Sequence, residues 1–188
     1  MMHYEHISQK PYCCVPTCLQ MIFQRCGLPL LTQSDIGYEL GMILPPEKRH
    51  TLGLKSYEGE KPRAGWGTRM NFPEFSLGQF LKRRNIPLTE TYYTKDALSS
   101  QRELQRLLTD NLEKDNDALV CFNYPLLYGE EGSYGHASLV ADIDDTSVTL
   151  IDPEKEYPKP RVVELEKFYE SIVKHSGGGV WVISEREE

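Results

Sequence analysis

Apolar positions near the start of the chain fall at helical spacing: Cys14, Cys18, Met21, Ile22 and Cys26 would share one face. Pro16 suits a first helical turn, where its missing N–H would have lacked a partner anyway. Gly27 and Pro29 then stop the run, so a helix is predicted from about Cys14 to Arg25. A second helix begins at Thr32 or Ser34, with Asp35 in its first turn and Ile36 and Leu40 on one face, and stops before Gly41. Ser76 precedes a third, with Leu77, Phe80 and Leu81 on one side, ending around Arg84. Within residues 99–114, Leu104, Leu107, Leu108 and Leu112 mark the clearest amphipathic helix, and core packing explains it fully.

Elsewhere the pattern has strand character. LTETYYT, after Pro87, alternates, and ALVCFNY (118–124), HASLVADI (136–143) and SVTLID (147–152) read as strands. Asp144, Asp145 and Thr146 turn the second of these into the third as a hairpin. A short helix around Val163 to His175 follows, and GVWVIS (179–184) closes as a strand. Residues 44–74 carry turn signals and little periodicity, and irregular segments of that length are usually functional or disordered. Their Gly65-Trp66-Gly67-Thr68 centre either lines a cleft or tucks Trp66 into the core. Helices first and mostly antiparallel strands second describe an α+β domain, with a helical half over about residues 1–115 packed on a sheet half over about 116–188. Clefts form where such unlike halves meet.

Composition narrows the partners. A chain of 188 residues with 39% apolar content fills one core, so a single domain over residues 1–188 is expected. The formal charge of −7, with no basic block or basic-aromatic stripe, excludes nucleic acid and anionic membrane as main partners. The first ten residues lack the apolar core of a secretory signal, and no run of about eighteen apolar residues occurs, so a cytoplasmic location is expected. Four of the five cysteines crowd into positions 13 to 26, a poor layout for disulfides and a good one for free thiols.

One of those thiols is placed for chemistry. Cys14 falls at or just before a helix start, among unpaired backbone N–H groups and the positive end of the dipole, where a thiolate (unperturbed pKa ~8.5) is stabilised. His136 opens a strand directly after Gly135, and Asp152 closes the next. Both lie eight residues from position 144, so a hairpin folded there sets them nearly opposite each other. Pro153 cannot donate to a ladder and ends the strand, holding Asp152 at the rim. Such a histidine takes a thiol proton and later returns it to the leaving group, while the acid fixes its tautomer. The Cys14 N–H and the Gln9 side-chain amide are the candidate oxyanion donors.

Each of these residues also has an ordinary reading. Cysteines are among the most buried residue types, a strand-end histidine can be a satisfied structural group, and an acid before proline is a common turn residue. Cys13, Cys14, Cys18 and His136 offer four metal ligands, but adjacent cysteines and an i, i+4 pair do not match paired C-x₂₋₄-C knuckles. No metal and no cofactor are expected.

Gln9, Cys14-Val15-Pro16-Thr17-Cys18-Leu19, Gly135-His136-Ala137-Ser138-Leu139-Val140 and Leu150-Ile151-Asp152-Pro153 together resemble a papain-like cysteine peptidase. Within that group the chain is most similar to the double-glycine leader peptidases and their free-standing relatives, with Val15 where they usually carry glycine. The resemblance implies a papain-like fold, Cys14 as nucleophile, His136 as base, Asp152 as orienting residue, Gln9 as oxyanion donor and a peptide or protein substrate. Its C-x-P-[AT] pattern selects Cys14 over the rival Cys13. The alternative is a catalytically silent papain-like domain acting as a peptide-binding or regulatory module.

Overall fold

Six strands make one sheet in the order β1-β6-β2-β3-β4-β5, every neighbouring pair antiparallel. They are β1 (Leu88–Thr94), β2 (Asp117–Asn123), β3 (Gly135–Ile143), β4 (Ser147–Ile151), β5 (Arg161–Glu164) and β6 (Gly179–Glu185). The helices are α1 (Cys14–Arg25), α2 (Gln33–Glu39), α3 (Leu77–Arg83), α4 (Gln101–Leu112), α5 (Tyr124–Tyr128) and α6 (Leu165–Val173). These coordinates are a computed structural model describing residues 1–63 and 65–186.

Strand alternation gives the sheet two apolar faces, and helices cover both. Leu119, Ala137, Leu139, Ala141, Trp181 and Ile183 pack with α1, α2 and α3. Their neighbours Ala118, Val120, Phe122, Val140, Val180 and Val182 pack with α4 and α6. The expected α+β architecture of helices packed on a mostly antiparallel sheet therefore holds, but the sheet half also draws in β1 and α4 from the first 115 residues. Two elements escaped the sequence reading. Val163, expected to open a helix, lies in the edge strand β5, so α6 starts only at Leu165; and α5 turns the chain directly after β2.

Helix α1 lies across β3 and ties the layers together. The Cys18 thiol, fully buried, donates to the Ala137 carbonyl at 3.6 Å. At the other end Arg25 grips the buried Asp117 through Nε and Nη2, both at 2.9 Å, and the Tyr4 hydroxyl donates to the same carboxylate at 2.6 Å. The irregular stretch before α3 is anchored rather than loose. Ile43 bridges both Tyr57 and Gly67, and the Arg69 guanidinium stacks 4.2 Å over the Phe75 ring while donating to the Gly41 carbonyl.

Removing the Arg25 side chain leaves the Asp117 carboxylate buried without its cation. Arg25→Ala is expected to cost about 3 kcal/mol of stability, read from chemical denaturation of wild type and variant side by side.

Candidate active site

The start of α1 follows from local sequence. Tyr12 adopts a left-handed φ of 66°, which turns the chain sharply before the helix. Cys13 is the N-cap but offers no side-chain bond to the first turn, so no N-cap side chain ties up the N–H groups at the helix start around Cys14. With Cys18 seated over Ala137, Cys14 falls one helical turn, about 5.4 Å, nearer the beginning of β3. That places it at the rim of the sheet, beside His136.

His136 and Asp152 meet, though not by the symmetry expected. The hairpin closes through Asp144 and Ser147, and the register shifts between Val140 and Asp142. Leu139 therefore pairs with Ile151, and continuing that register sets Asp152 opposite Ser138, two residues in from His136. The carboxylate reaches the ring diagonally: His136 Nε2 lies 2.9 Å from Asp152 Oδ1. Alternation assigns His136 to the α6 face of the sheet. It meets Cys14, on α1, because it sits next to the strand end, where one cavity is bordered by both.

Asp152 is fully buried yet well supplied. The Glu154 N–H donates to Oδ1 at 3.0 Å, and the Ser138 hydroxyl donates to Oδ2 at 3.5 Å. A second cation, Arg161, stands 3.6 Å from Oδ2. Its guanidinium is clasped between the rings of Tyr128 and Tyr157, at 3.5 and 3.8 Å. Burial pulls the carboxyl upward, but His136, the Glu154 N–H and Arg161 outweigh it and hold it below its usual value. On His136 burial acts downward, and Asp152 and the Cys14 thiol reverse it, raising the imidazole from 6.5 to about 10. The charged form of the ring is thereby favoured.

The cavity at Cys14 is narrow, about 60 Å³. Trp66, Thr68, Cys121, His175 and Trp181 border it, so the Trp66 loop lines the cleft instead of entering the core. His175 carried no signal in the sequence beyond ending a helical run. It is buried at the end of α6, and burial together with Lys95 pushes it below its usual value, toward the neutral form. Cys13 points elsewhere, into a cluster with Met42, Leu44 and Leu54, and burial pushes its thiol to about 12. Cys13, Cys14, Cys18 and His136 do not converge as a ligand set, and among the described residues no three His, Cys, Asp or Glu side chains are grouped as a metal site.

Gln9 stands apart from this cavity. Its backbone N–H donates to the Pro153 carbonyl at 2.8 Å and its side-chain amide donates to Glu154 Oε1 at 2.6 Å. It is therefore fastened to the segment that carries Asp152, while its own Oε1 is buried without a partner among the described residues.

No family model matches the chain, and no curated protein matches it. Among solved structures it is similar to a Bacillus anthracis protein described as a C39-like peptidase. The TM-score is 0.63 over 97% of this chain and 95% of the other, at 16% identity. The chain thus has the fold of a C39-like, papain-like peptidase, and at that identity the likeness speaks for the fold alone.

Two outcomes follow from the burial and charge at this site. Iodoacetamide is expected to label Cys14 and spare Cys13, read by peptide mapping; equal labelling would contradict the geometry. The elevated His136 value stabilises the fold fully below about pH 6.5 and is lost as pH rises through about 10. Urea unfolding across that range should show wild type losing its advantage over His136→Gln as pH climbs.

Proposed function

We propose that the chain is a cysteine hydrolase acting on a peptide or protein held at the Cys14 cavity. The observation that carries this is a buried imidazole braced by a buried carboxylate and facing the same narrow cavity as a half-buried thiol at a helix start. Asp152 occupies Nε2 of His136, which leaves Nδ1 to serve the sulfur. The thiolate attacks the substrate carbonyl, forming a C–S bond and an oxyanion. Collapse breaks the C–N bond, and the imidazolium gives its proton to the departing amine. Water, deprotonated by the same ring, then hydrolyses the thioester and releases the thiolate.

The uncapped N–H groups at the start of α1 supply one side of an oxyanion site. The motif likeness assigns the other to Gln9, which serves it by turning its amide away from Glu154 and toward the cavity. The motif likeness to double-glycine leader peptidases supports a peptide bound in extended form, and an acyl transfer ending uses the same steps with an amine in place of water. A silent peptide-binding module is the second reading. It is favoured by one observation, that the Gln9 amide is already engaged at 2.6 Å by Glu154.

A fluorogenic peptide library decides between them. Cys14→Ala and His136→Ala should abolish cleavage, Asp152→Asn should lower kcat by about 10,000-fold, and Gln9→Ala by about 100- to 1,000-fold. No cleavage by wild type at any pH, together with a Cys14 that resists alkylation, would leave the binding module.

A further inference from the structure

Beside the Cys14 cavity lies a second, roomier pocket of about 350 Å³. The two share Gly65, Trp66, Gly135 and His175 as a common wall, so whatever sits at the sulfur can extend into it. Its lining runs against the overall charge of the chain. The chain carries 28 acidic residues against 21 basic ones, yet the side chains here include Lys61, Arg63 and Lys174 and no carboxylate. Lys174 is partly committed, since its Nζ lies 2.9 Å from Glu170. Lys61 and Arg63 have no carboxylate partner among the described residues. No ion pair among the described residues therefore draws either side chain away from the pocket.

The walls are aromatic as well as cationic. Tyr12, Trp66 and Tyr134 line the pocket, and Tyr134 is stacked on Tyr124 with centroids 5.5 Å apart. Glu130 and Glu154 act on the Tyr134 hydroxyl from outside the lining. The loop that brings Lys61 and Arg63 here is pinned by the Ser176 hydroxyl, which donates to the Arg63 carbonyl at 3.3 Å. A concave site with one sign of charge concentrates ligands of the other sign.

We propose that this pocket is an anion subsite of the Cys14 cleft, taking a carboxylate of the substrate against Lys61 and Arg63. The substrates are then peptides that present a carboxylate close to the reacting bond. The carboxylate belongs either to a Glu or Asp side chain near the reacting bond or to the peptide's own C-terminus, and both present the same planar anion. This rests on the hydrolase reading of Cys14 for its meaning, but binding at the pocket does not require turnover.

The test is equilibrium binding to the full chain carrying Cys14→Ala. Fluorescein-labelled, C-terminally amidated Gly-Ala heptapeptides bear one Glu at successive positions, each with a Gln twin, and a further peptide has a free C-terminus. At one or more positions Glu should bind at least about fivefold tighter than Gln, and the difference should shrink with added salt. Lys61→Ala with Arg63→Ala should remove the preference, and Lys61→Glu with Arg63→Glu should reverse it, with folding of each checked by circular dichroism. A preference confined to the free C-terminus assigns the pocket to the terminal carboxylate. Equal binding of every Glu peptide and its Gln twin together with no gain from the free C-terminus, or a preference untouched by both double variants, overturns the subsite. Cys14 alkylation in the wild-type chain reports separately on the hydrolase: a reactive thiol with no acidic preference removes the subsite alone, and a retained preference beside an inert thiol removes the hydrolase alone.

Discussion

A buried carboxylate holding a buried imidazole in its charged form is the constraint on which the site depends. Taking either charge out of water alone is costly, and each group is kept ionised by the other. Asp152 carries the heavier part, because it also gathers the Glu154 N–H, the Ser138 hydroxyl and Arg161. With those donors in place the carboxylate stays charged at zero exposure, and His136 inherits a fixed ring orientation and a strong bias toward protonation.

The fold delivers the third group by a different route. Antiparallel pairing of β3 and β4 brings acid and imidazole together, whereas the sulfur arrives on a helix crossing the opposite face. The two meet only at the rim, where His136 is second in its strand and Cys14 is first in its helix. The Cys18 thiol on Ala137 and the Arg25 grip on Asp117 set the helix along its length, so these two residues fix where the Cys14 thiol stands. The N-terminal arm adds a third strap, since Gln9 is bonded to Pro153 and Glu154 directly after the acid.

Much of this was legible in the sequence because it rests on short-range signals. Pro16 and Gly27 bounded α1, Thr32 and Ser76 capped α2 and α3 as their positions suggested, and the leucines of α4 gave its face. The hairpin put His136 and Asp152 together, but counting from position 144 missed the bulge near Ala141, a backbone feature without a residue signature. Strand β5 was hidden because it is only four residues long and runs directly into the helical spacing of Leu165, Phe168 and Ile172. Arg161, Glu154 and His175 were invisible for another reason: their roles depend on how loops and element ends fold onto Asp152 and the cavity, and a lone polar residue there looks the same whether or not it touches anything.

The protonation state of the His136 ring is the most direct reading of this arrangement. Two-bond ¹H–¹⁵N correlation spectra of the imidazole, recorded from pH 5 to 11, separate the doubly protonated ring from either neutral tautomer. The ring should remain doubly protonated well past neutrality and lose its proton near pH 10, with the shift lowered when Asp152 is replaced by Asn. A ring that titrates near its ordinary value of about 6.5 and is indifferent to that replacement would contradict the account.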